Sequence, residues 1–224
     1  KKPTLTKKQR HKLRVQQVRR QKIFLTCLFL LIVGCILLRF SKFSGRQEEA
    51  HQINAACEAY RDEVSSEAAQ YDMSDYVDLI LAVMMQESSG QGTDPMQSSE
   101  GAYNTRYPQQ PNGITDPSYS ISCGIQELKY ALEKAVCTGP TDLSKIRLAL
   151  QAYNFGADSY FAYLEENGQT VWTAQSAQAF AQMASGGTQR DEDDPLHDPA
   201  GPWDYGDQYY PDHVLRYYHL DNNS

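Results

Sequence analysis

Charge divides this chain before any motif is read. Of its 21 Lys and Arg, 13 lie at or before Arg46, and all 28 Asp and Glu lie at or after Glu48. Inside the basic front sits an uncharged apolar run, Ile23 to Leu38, followed by Arg39, Phe40, Lys42 and Phe43. Sixteen residues fall short of the roughly 20 that span a bilayer. Extending the run to Phe43, with Arg39 and Lys42 reaching back to the interface, supplies the length. Residues 1–22 then form a basic cytoplasmic segment, 23–43 a single transmembrane helix, 44–50 a polar juncture and 51–224 an extracellular domain, because basic flanks stay inside. Two other readings stay open. Ile32 to Cys35, "IVGC", has the form of a lipoprotein signal with Cys35 as the lipidated residue. A cleaved secretory signal is the third, although no small-residue cleavage site precedes Gln47.

From Gln47 onward, 8 basic residues face all 28 acids, a net charge of −20. Such a surface excludes nucleic acid as a partner, since phosphate binding needs a basic face. The five histidines show no metal-ligand spacing. The acidic loop "RDEDDPLHD" lacks a cation-ligand pattern. No metal and no cofactor are expected.

Apolar residues recur at helical spacing through most of the exterior part. The spacing predicts a helical stretch from about Glu48 to Tyr71, then a helix from Asp72 or Ser74 to about Ser89, with Gly90 as its stop. Gln91 to Ser122 reads as a long irregular segment. Helices follow over about Gly124–Val136, Ser144–Phe155, Ala157–Gly168, Val171–Ala184 and Tyr210–Leu220. The fold class is mainly α, in one domain.

Five cysteines bear on the compartment. Cys27 and Cys35 fall in the apolar run. A helix between Cys123 and Cys137 would hold them about 21 Å apart at 1.5 Å per residue, too far for a disulfide. Cys57 is left to pair with Cys137 or with Cys123, the 57–137 pairing being favoured, and three free thiols stay open as the other reading.

The chemistry concentrates in "MMQESSGQGTDPMQSSEG", Met84 to Gly101. Ile80, Val83 and Met84 stand seven, four and three residues before Glu87, so Glu87 ends the apolar stripe of its helix. Burial and the negative end of the helix dipole both disfavour its ionised form. A carboxylic acid kept protonated near neutral pH can protonate a glycosidic oxygen. Asp94, seven residues on, is the candidate for activating water across a cleft; it reads equally as an Asx turn ahead of Pro95. Glu100 is a third carboxylate.

That stretch, with "NGITDPSYSISCGIQELKYAL", "LALQAYNFG" and "DHVLRYY", resembles the bacterial lysozyme-like muramidase domain of Gram-positive conjugative elements. Those domains are distant relatives of goose-type lysozymes and soluble lytic transglycosylases. The resemblance covers about Glu48 to Tyr218. It implies a lysozyme-like fold, peptidoglycan strands as substrate, and Glu87 as the catalytic acid with Asp94 as its partner. It further implies that Gln97, Ser99, Glu100, Tyr119, Ser122, Gly124, Gln126, Tyr153 and Asn154 contact the glycan. Gly124 would let the backbone approach the sugar. Tyr153 would stack on a ring, or serve as plain core. Contact with other conjugation proteins follows from the same resemblance, while membrane anchoring rests on the apolar run at 23–43. A lytic transglycosylase and a non-cutting glycan-binding scaffold are the alternative functions.

Overall fold

A computed structural model describes residues 52–194 and 197–220. The basic segment, the expected transmembrane helix over 23–43, the juncture and Cys35 lie outside the described residues. Among the described residues, no helix is long and apolar enough to cross a membrane.

The described part is helical, with a lone antiparallel bridge between Gln189 and Trp203. Its helices are α1 (Ala55–Glu58), α2 (Arg61–Gln70), α3 (Val77–Glu87), α4 (Pro117–Lys134), α5 (Leu143–Phe155), α6 (Ala157–Glu166), α7 (Ala174–Ala184) and α8 (Tyr210–Leu215), with a 3₁₀ turn over Ser74–Tyr76. The helical stretch expected over 48–71 is thus broken in two. Asn54 caps α1 by accepting the Cys57 amide at 2.8 Å, and the chain turns at Ala59 and Tyr60 before α2 begins.

α3 is the axis of the fold. Leu79 through Met84 are six consecutive residues with no exposed surface, and a helix apolar all round belongs in an interior. It packs against α2 and α8, while α4 joins α2 to α5, and α5 carries α6 and α8. Fully burying each of its large side chains contributes about 1.5–3 kcal/mol, so α3 adds substantially to core stability. A second, aromatic cluster ties α5, α6 and α7 to the loop before α8. Phe155 lies 5.3 Å from Tyr160, 5.2 Å from Phe180 and 5.5 Å from Tyr205 between ring centroids. Tyr160, Tyr163 and Tyr205 are the cluster's tyrosines.

α4 starts seven residues earlier than expected. Asp116 accepts the Tyr119 amide and Pro117 occupies the first turn, a combination that opens helices because proline's missing N–H would be unbonded there anyway. Tyr119, Ser120 and Ser122 are therefore helical.

The expected disulfide does not form; Cys57, Cys123 and Cys137 are all free thiols. Cys57 packs under Gly90, where an added Cβ would come within 3.0 Å of the Cys57 sulfur, just past the end of α3. Cys137 meets the Tyr76 hydroxyl at 3.7 Å, just before its start. The 11 residues of α3 span about 16 Å, and a disulfide needs Cα atoms within about 7 Å. Burial pushes the Cys57 thiol up to about 11, which keeps it inert.

Candidate active site

Glu87 is the last residue of α3, and Ile80, Val83 and Met84 behind it are fully buried. Its side chain closes the apolar stripe and emerges into a groove. One half of the groove is a cavity of about 690 Å³ reaching toward Asp207, His213 and Arg216. The other half, about 600 Å³, reaches toward Tyr103, Glu127 and Tyr205. Glu87, Gln97, Glu100 and Asn154 line both halves, so Glu87 sits where the two meet.

The Glu87 carboxyl is raised to about 7. Burial is the main cause. The Tyr210 hydroxyl, which donates to Glu87 Oε1, pulls the other way, because it favours the charged form. The negative charges of Asp207, Asp94 and Glu127 add to the rise. Tyr210 is itself buried and stacks against Tyr153, centroids 6.2 Å apart. Tyr153 donates to the Met96 carbonyl at 2.9 Å and lines the groove, so it is both core and wall.

Asp94 is not the water-facing carboxylate expected from its spacing. It is 1% exposed. Oδ1 accepts from the Ser98 amide at 3.1 Å and the Ser120 hydroxyl at 2.6 Å. Oδ2 accepts from the Ser99 amide at 3.2 Å and from the Ser99 hydroxyl. Both oxygens are spent inside the protein, and the carboxylate ties the 94–99 turn to α4. Ser99 is buried with it, and its hydroxyl also accepts the Ile114 amide at 2.8 Å. The side chain that read as a catalytic base or an Asx turn acts as the turn's anchor.

The remaining expected residues separate into two groups. Gln97, Glu100, Tyr153 and Asn154 share the groove with Glu87. Tyr119, Ser122 and Gln126 line a neighbouring hollow of about 560 Å³, which meets the groove at Ala102 and Tyr103. There the Tyr119 hydroxyl holds the 103–105 loop, accepting the Thr105 amide at 3.0 Å and donating to the Tyr103 carbonyl at 3.1 Å. Gln126 donates to the Ser122 carbonyl at 3.1 Å. Gly124 does not line the groove. A Cβ there would come within 2.6 Å of the Met96 side chain, so this glycine lets the loop after Glu87 lie against α4.

Four groove residues escaped the sequence reading. Tyr210, Asp207 and His213 come from the C-terminal part, where "DQYYPDH" offers no periodic or spacing signal toward Glu87. Glu127 follows Gln126 directly, but its place depends on Gly101, whose added Cβ would fall 1.4 Å from Glu127 Oε1. Glu127 is raised to about 7, chiefly by burial, and its Oε1 is buried without a hydrogen-bond partner. Among the described residues no group of three or more His, Cys, Asp or Glu is placed to hold a metal ion.

A lysozyme-like family model matches residues 55–218. The chain is 35% identical over 173 residues to the bifunctional muramidase/DL-endopeptidase CwlT of Bacillus subtilis, covering 77% of this chain and 43% of that protein. It is 40% identical over 115 residues to the membrane protein YocA of the same organism, covering 50% of this chain and 45% of that one. A pneumococcal vaccine antigen A homolog of Streptococcus pyogenes is 37% identical over 110 residues, 49% of this chain and 50% of that one. The chain thus spans about half the length of the curated relatives it matches. Among solved structures, a Staphylococcus aureus protein described as similar to a lipoprotein of the NLP/P60 family superposes with a TM-score of 0.64. It shares 27% identity, over 78% of this chain and 56% of that one.

Proposed function

The chain belongs to the lysozyme-like family, and from that premise we propose that it is a muramidase, hydrolysing the β-1,4 bond between N-acetylmuramic acid and N-acetylglucosamine in peptidoglycan. One observation carries this reading: a carboxyl held at about 7 stands at the midpoint of a two-sided groove. At neutral pH a large fraction of Glu87 keeps its proton for the glycosidic oxygen, and sugar units find room on either side of the scissile bond. The muramidase named among the relatives supports the reading. Asn154 and Glu100 offer hydrogen bonds to hydroxyl and acetamido groups on both sides. Residues 23–43 would tether the domain outside the cytoplasm, so that cleavage stays local. This suits a role in opening the wall for a conjugation channel.

The enclosure of Asp94 favours one alternative, a lytic transglycosylase, in which the sugar's own hydroxyl attacks and no water is activated. Purified cell wall in a gel tests the core of the proposal. The wild type should clear it, and Glu87→Gln should lower the rate by about 10²–10⁴-fold, the contribution of a positioned acid. Clearing by Glu87→Gln at the wild-type rate would remove Glu87 from the acid role. A wild type that binds wall without clearing it would be a scaffold. Mass spectrometry of the fragments separates reducing ends, expected here, from anhydromuramyl ends.

A further inference from the structure

We propose that Asp207 and His213 form the water-activating side of the site, with His213 as the base and Asp207 as its positioning residue. This deepens the muramidase reading and rests on it. Both side chains line the same half of the groove as Glu87. Asp207 Oδ2 lies 2.5 Å from His213 Nδ1, and Oδ1 accepts the Tyr209 amide at 2.9 Å. A carboxylate on Nδ1 fixes the tautomer with the proton there, which leaves Nε2 with a lone pair to offer.

The loop that carries Asp207 is held from several directions. Gln151, fully buried, donates to the Asp207 carbonyl at 2.8 Å and is itself held by the Trp172 indole at 2.8 Å. Asn154 accepts the Asp207 amide at 2.7 Å. Gly206 adopts a φ of +48°, and an added Cβ would come within 2.6 Å of Asn154 Oδ1. Two polar residues of "QAYNFG" therefore grip the Asp207 backbone, and a glycine is required for the approach. A buried amide side chain such as that of Gln151 is costly unless satisfied and rigid when it is, so this is a built feature. The other acids serve less well. Asp94 is enclosed, Glu100 is exposed, and Glu127 is lodged against Gly101. Asp198, in the same half of the groove, accepts the Ala200 amide at 2.8 Å within its own turn. The negative charge of Asp207 also leads those that favour the protonated form of Glu87.

In the step, a water oxygen bonds to C1 of the muramic acid unit while His213 Nε2 takes its proton. The C1–O4 bond breaks, its electron pair goes to O4, and O4 takes the proton of Glu87. The products are a reducing end and a free 4-hydroxyl. His213 is left as imidazolium and Glu87 as carboxylate, and solvent exchange resets both. Attack from the face opposite the leaving group inverts the anomeric centre.

The test uses the full-length chain on soluble peptidoglycan fragments. His213→Ala should lower kcat by about 10²–10⁴-fold with KM little changed. Added imidazole should restore part of the rate, and pyrazole, of nearly the same shape but scarcely basic, should not. Asp207→Asn, which preserves shape, should also lower kcat while its circular dichroism stays that of the wild type; this arm stands if His213→Ala fails to fold. NMR of fresh wild-type product should show the inverted anomer. The inference is overturned by wild-type kcat in His213→Ala or in folded Asp207→Asn, by equal rescue with pyrazole, or by retention at C1. Those results leave the muramidase reading intact when the products carry reducing ends. Anhydromuramyl ends from the wild type would overturn both.

Discussion

Glu87 and Tyr210 define the site at the scale of single residues. A phenol donating to a carboxylate stabilises its charged form, yet Glu87 stays raised to about 7 because burial outweighs that bond. The sign of the consequence is fixed. In the proposed role of acid, Glu87 must be protonated, so the rate should fall as pH rises through about 7. Tyr210→Phe removes the donor, moves the Glu87 carboxyl further up, and should shift the falling limb of the kcat profile to higher pH. An unmoved limb would mean that another group sets it. The sequence disclosed half of this arrangement. The stripe of Ile80, Val83 and Met84 put Glu87 at the end of a buried helix. The tyrosine, 123 positions away, left no local trace, because a contact of that range depends on how α8 docks against α3.

Among elements, the loop between α3 and α4 shows how a carboxylate can matter without touching substrate. Asp94 draws two amides and two hydroxyls onto one side chain, and Met96 fills the space left by Gly124. Together they hold Gln97 and Glu100 at the groove. Asp94→Asn keeps the volume but sets an amide NH₂ against donors. It should destabilise the fold by about 1–3 kcal/mol, read as a lowered Tm, with activity falling alongside as the loop loosens. Full stability in that variant would separate Asp94 from the anchoring role. The loop's irregularity was legible from its Gly, Pro, Asn and Ser content. Its internal bonding was not, because spacing says where a side chain lies along the chain and nothing of which donors surround it. The early start of α4 is legible in the sequence, since Asp116 followed by Pro117 is a helix-opening pair.

For the whole molecule, two buried acids make stability depend on pH in an unusual direction. Glu87 and Glu127 are each raised from 4.5 to about 7. Between those values the folded chain holds more protons than the unfolded one, so stability falls as pH rises through this window. Glu87→Gln should therefore raise Tm at pH 8, by the equivalent of about 1–3 kcal/mol, and leave it unchanged near pH 4, where the carboxyl is protonated in both states. A gain of equal size at both pH values would contradict the assignment. The helical class was readable from periodicity, because helices announce themselves locally. The proposed 57–137 bridge was not sound, because no local pattern reveals that α3 stands between the two thiols as a strut. The meeting of two half-grooves at Glu87 has one more consequence. On the proposed muramidase reading, a trough that continues past the scissors on both sides would not need a chain terminus to begin work. It would seize long polymers anywhere along their length, so the average strand would shorten sharply before small sugars accumulate, and the meshwork would slacken after comparatively few cuts.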